Sequence, residues 1–112
     1  MKAEEIYIAK AIEHGRCTES GDFTMGNAAF DRMEAALAEL RRHDDRGASV
    51  LIGLLTHSNG WVRLEAATHL LPLQPEVACE ALKKLEAGPQ SYIEHGAKMV
   101  LQEWRAGKLK VP

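Results

Sequence analysis

Two cysteines in 112 residues are too few to staple a small fold, so a packed core must hold this chain together. Aromatic residues make up only 5%, sparse for a β-sandwich and comfortable for helices packed with Leu, Ala and Ile. No apolar run approaches the roughly 20 residues that a bilayer-spanning helix needs. Basic charge has no surplus: 14 Lys plus Arg face 16 Asp plus Glu, a net charge of −2, which disfavours a general nucleic-acid binder. The opening Met1-Lys2-Ala3-Glu4-Glu5 lacks a basic and then apolar leader, so the expected location is cytoplasmic, with Cys17 and Cys79 kept as thiols. What is present is 46% hydrophobic residues, enough to enclose one core.

The apolar spacing is helical throughout, and no stretch alternates with period two. A first helix is expected from about Ala3 to His14, stopped by Gly15, with Cys17 exposed beyond its end. Asp22 or Thr24 then caps a second helix, Phe23 to Arg42, whose stripe is Met25, Ala29, Met33, Ala36, Leu37 and Leu40. Asp44 or Asp45 is placed to cap a third helix carrying Val50, Leu51, Leu54 and Leu55. Ser58-Asn59-Gly60 breaks it and starts a fourth, with Val62, Ala66 and Leu70 flanked by Leu64, Ala67 and Leu71. Pro75 suits the first turn of a fifth helix bearing Val77, Ala78, Ala81, Leu82 and Leu85, with Cys79 read as a small buried residue. Ser91 and Glu94 have capping-box spacing before a sixth helix with Ile93, Ala97, Val100, Leu101 and Trp104, closed by Gly107.

One offset organises these helices. Trp61 falls on Tyr92, Val62 on Ile93, Ala66 on Ala97 and Leu70 on Leu101, each 31 positions apart, and Leu51 and Leu54 fall on Leu82 and Leu85 with the same offset. A helical hairpin recurring at that period is the mark of an α-solenoid, since one hairpin cannot bury its apolar side alone. The expected fold is therefore all-α, a short right-handed α-solenoid of six helices in about three hairpins. It forms one domain over residues 1–112, divided into an N-terminal hairpin (1–43), a first repeat (44–73), a second repeat (74–107) and a tail (108–112).

Leu54-Leu55, Val62-Arg63, Ala66-Ala67 and Leu70-Leu71 resemble a HEAT repeat, whose second helix commonly begins with a Val-Arg pair. Gly21-Asp22 with Asn27 and Asp31, Trp61-Val62-Arg63-Leu64, Leu71-Pro72, Ala97-Lys98-Met99 and Glu103-Trp104-Arg105 together resemble the bacterial domain of unknown function 2019 family. That resemblance implies a HEAT-like fold over nearly the whole chain and carries no activity with it. The first hairpin departs from the repeat's spacing.

Chemistry-bearing residues are scattered. Histidines 14, 43, 57, 69 and 95 include two pairs that can share a helix side, His14 with Cys17 and Glu65 with His69, but neither belongs to a four-ligand pattern. There is no His-Glu-x-x-His, no Cys-x-x-Cys and no glycine spacing of a phosphate loop, so no metal, cofactor or catalytic residue is assigned. Ser58 beside His57 reads as a cap, and Glu94 with Lys98 as a surface pair.

Trp61 and Tyr92, at equivalent helix starts, and Arg63, Glu94 and Lys98 beside them are the candidate partner-binding residues, because aromatics and arginine anchor interfaces. The competing reading makes the two rings lids on the core and Arg63 a partner of Glu94 or of a turn carbonyl. The expected function is a non-enzymatic module that binds another protein, with self-association as an open case. An immunity protein against a bacterial toxin, a weak nucleic-acid binder using Lys98, Arg105, Lys108 and Lys110, and an uncharacterised enzyme are the alternatives.

Overall fold

The computed structural model describes residues 2–42 and 46–111. Among them are six helices and no strand: α1 (Ala3–Ser20), α2 (Phe23–Arg41), α3 (Arg46–Leu54), α4 (Gly60–Leu70), α5 (Pro75–Glu86) and α6 (Ser91–Arg105). No helix is long and apolar enough to cross a membrane among the described residues. Contacts divide the chain into two compact units, residues 1–50 and 51–112.

In the first unit α1 and α2 form an antiparallel hairpin. The first helix runs past the expected stop: Gly15 is buried inside α1, and Gly21 supplies the left-handed residue at φ 79°. There the amides of Gly21 and Asp22 both donate to the Cys17 carbonyl, ending the helix as a left-handed cap does. A glycine inside a helix costs about 1 kcal/mol relative to alanine, which the helix absorbs here. Cys17 therefore lies within the helix and is buried, contrary to its expected exposure.

Asp22 caps α2 as expected, its Oδ1 accepting from the Met25 amide at 3.2 Å. The buried side of α2 is Gly26, Ala29, Met33, Ala36, Leu37 and Leu40; Met25, expected in this stripe, is 53% exposed. Gly26 replaces it because the helices touch there: a Cβ on Gly26 would stand 3.1 Å from Cys17 Cβ. Gly26→Ala must push two stiff main chains apart, and we expect it to cost about 1–3 kcal/mol despite alanine's better helix propensity. Gly53→Ala, on exposed helix with nothing within 4 Å of the new methyl, should stabilise by about 0.5–1 kcal/mol. Urea unfolding of the two variants should move in opposite directions.

The caps expected at Asp44 and Asp45 lie outside the described residues. In the second unit Asn59, not Ser58, caps α4, its Oδ1 accepting from the amides of Trp61 (2.9 Å) and Val62 (3.4 Å). α4 buries Gly60, Trp61, Val62, Leu64, Ala66, Ala67, His69 and Leu70, so it is enclosed nearly all round. α5 and α6 each bury one stripe, Ala78 and Leu82 on α5, and Ile93, Ala97 and Leu101 on α6.

Pro75 opens α5 as expected. Ser91 is the first helical residue of α6 rather than its cap; Gln90 holds the cap position with no side-chain hydrogen bond, so the expected capping box does not form. α4 and α6 approach closely at two reciprocal points. A Cβ on Gly60 would stand 2.5 Å from Ile93 Cδ1, and one on Gly96 would stand 2.9 Å from Leu64 Cδ2. Each glycine thus receives a branched side chain of the facing helix.

Candidate partner-binding site

The turn between α3 and α4 is held by Arg63. Its Nη1 donates to the His57 carbonyl at 2.6 Å, while His57 Nδ1 accepts from the Asn59 amide at 3.0 Å. Arg63 is half-buried, and among the described residues no carboxylate pairs with it. A guanidinium has five N–H donors in a fork, so one hydrogen bond leaves most of its capacity unspent.

Arg63 stands on the wall of a groove of about 660 Å³ built wholly within the second unit. Its apolar lining comes from the end of α3 (Ile52, Leu55), from α5 (Val77, Ala81, Leu85) and from Ile93. The cause is an apolar sector on α5 wider than the part that packing covers. Ala78 and Leu82 are buried, whereas Val77 is 40% exposed and Ala81 and Leu85 are half-buried. Ile52 is also 40% exposed. Glu80 and Lys84 ride the rim as an ion pair at 3.8 Å, too exposed to add much stability.

The other candidates lie apart from one another in character. Trp61 is buried at 9% exposure, while Tyr92, its equivalent, is 53% exposed. Glu94 and Lys98 are exposed on α6. Of the five residues that the sequence nominates, Arg63 alone stands on the groove; Val77 and Leu85 were legible only as ordinary apolar positions of the fifth helix, and Ile52 was missed. A hollow of about 370 Å³ lies against Ser91, Tyr92 and His95.

The remaining titratable groups occupy ordinary places. His14 is half-buried against the Phe30 ring, with centroids 5.3 Å apart; His69 is buried in α4; His95 is exposed. His43 lies outside the described residues. Burial pushes the Cys17 thiol above its usual range, and the charges of Asp22 and Glu13 add to the rise, so its reactive thiolate is scarce at neutral pH. Cys79 is a half-buried thiol, less covered than expected. Among the described residues, no three of His, Cys, Asp and Glu converge to hold a metal ion.

None of the curated proteins matches this chain. Among solved structures, the crystal structure of the protein RPA1889 from Rhodopseudomonas palustris CGA009 is similar, with a TM-score of 0.83 and 23% identity over 100% of this chain and 95% of that one. A likeness at that identity establishes the fold and carries no activity. The family model described as Domain of unknown function (DUF2019) matches residues 4–104, and the chain belongs to that family.

Proposed function

We propose that this protein is a non-enzymatic helical-repeat module, a short HEAT-like α-solenoid, that binds a protein partner in the groove between the end of α3 and α5. One observation carries the reading. Exposed Ile52 and Val77 flank an apolar floor beside Arg63, a cation with no carboxylate partner among the described residues. That combination suits an apolar side chain of the partner with an acidic residue close to it in space, the aliphatic part filling the floor and the carboxylate meeting the guanidinium. The repeat reading is supported by matched burial at the 31-residue offset: Val62 and Ile93, Ala66 and Ala97, Leu70 and Leu101, and Leu51 and Leu82 are all buried. The adjacent Ser58–His57 pair favours a structural use, since His57 Nδ1 accepts from the Asn59 backbone amide in the turn.

The test places a photo-crosslinking benzoylphenylalanine at Val77, with exposed Ala28 on α2 as control, in cells that make the protein. The protein captured from Val77 is then purified and titrated against wild type, Ile52→Glu and Val77→Glu, each checked for unchanged helical content. Both substitutions should weaken binding at least about tenfold, since a buried carboxylate without a partner opposes docking. Unchanged affinity, crosslinks only from Ala28, or salt-sensitive retention of DNA with no protein captured would overturn the proposal.

A further inference from the structure

We infer that the outer face of α6 is a self-complementary surface on which a second copy of this chain docks, α6 against α6 and antiparallel about a two-fold axis near His95. α4 and α6 bury the same stripe at the 31-residue offset, but α4 buries a second face as well. On α4 the positions Trp61, Leu64, Ala67 and Leu71 are buried, and α6 approaches this side, since Leu64 Cδ2 reaches the bare backbone of Gly96. The equivalent positions of α6, 31 residues on, are Tyr92, His95, Lys98 and Gln102, and all are exposed. Met99 joins them at 41% exposure. α6 therefore presents uncovered the face that α4 buries.

A second copy fits this face better than an unrelated helix because its groups match themselves. In an antiparallel two-fold pair each flank of a helix meets the same flank of its mate. Glu94 and Lys98 lie one helical turn apart on one flank, and Tyr92 and Met99 lie two turns apart toward the other. A two-fold axis level with Gly96 sets Glu94 opposite the mate's Lys98 and brings Tyr92 within one residue of the level of the mate's Met99. Each contact occurs twice. Among the described residues neither Glu94 nor Lys98 is ion-paired within the chain, so both heads remain available. The hollow at Ser91, Tyr92 and His95 lies where the mate's Met99 thioether would arrive, a favourable sulfur–aromatic pairing. One helix pair buries less than the roughly 1,200 Å² of a standard stable interface, so the dimer should be weak, dissociating at tens of micromolar or above.

Sedimentation velocity of the full chain from about 10 μM to 1 mM should show concentration-dependent dimerisation. Glu94→Lys sets like charges opposite each other twice and should raise the dissociation constant at least about fivefold. Adding Lys98→Glu on the same chain exchanges the two charges and should restore the wild-type value. Met99→Lys should abolish association, whereas Val77→Glu, on the groove, should leave it unchanged. A monomer throughout the concentration range, failure of the double exchange to rescue, or loss of the dimer through Val77→Glu would each overturn the inference. None of these outcomes bears on whether the groove takes a partner.

Discussion

Trp61→Ala should cost about 3–5 kcal/mol in unfolding free energy, while Tyr92→Ala, at the equivalent start of α6, should cost less than about 1 kcal/mol. The difference follows from burial alone. Trp61 is 9% exposed and has an indole's volume to lose, so truncation leaves a cavity that the α4 start cannot collapse around. Tyr92 is 53% exposed, and its removal opens no void. Urea denaturation of the two variants at micromolar concentration, where the proposed dimer is dissociated, reads the contrast directly. Equal costs would mean that the two rings do the same mechanical work, which would contradict their burial.

That pair also marks the limit of what residue type encodes. Val62 and Ile93, and Leu70 and Leu101, read as core positions 31 residues apart, are all buried, because a core position selects an apolar side chain. The offset could not separate Trp61 from Tyr92, since an aromatic at a helix start is compatible with burial or exposure, and only the presence of a covering neighbour decides. The same blindness applies to α5. Val77, Ala78, Ala81, Leu82 and Leu85 form one apolar sector in the sequence, and packing covers Ala78 and Leu82 while leaving the Val77 edge open as a groove wall. Residue type records that an apolar side chain is wanted. It does not record how much of it is covered.

Local signals succeeded where one residue had one use. Pro75 at a helix start was legible because it offers a geometry that the first turn needs, whereas the sequence leaves the α2 cap between Asp22 and Thr24, and Asp22 takes it. Such signals failed where two residues competed. Gly15 and Gly21 both permit a helix to end, and the chain stops at the second, where Gly21 takes the left-handed conformation and Gly15 stays buried inside α1. Ser58 and Asn59 both suit a cap, and Asn59 takes it by accepting from two amides. Arg63 stands out in the sequence for its charge, and its value emerges from the His57 carbonyl that fixes it on the groove wall.

The repeat reading makes its strongest demand on Leu70 and Leu101. Both are essentially fully buried, at 0% and 1% exposure, and the proposed repeat makes them equivalent positions, 31 residues apart. Leu70→Ala and Leu101→Ala should each cost about 3–5 kcal/mol, and the two costs should agree within about 1 kcal/mol if the slots are mechanical equivalents. Leu→Met at either position keeps the volume and should cost less than about 1.5 kcal/mol, which separates cavity formation from a change in helix propensity. Denaturant unfolding in parallel for the four variants measures all of these. A Leu101 site that tolerates alanine cheaply while Leu70 does not would show that α6 is only loosely held. The shared period would then record similar amphipathic helices, and the stacking that supports a solenoid would lose its energetic basis.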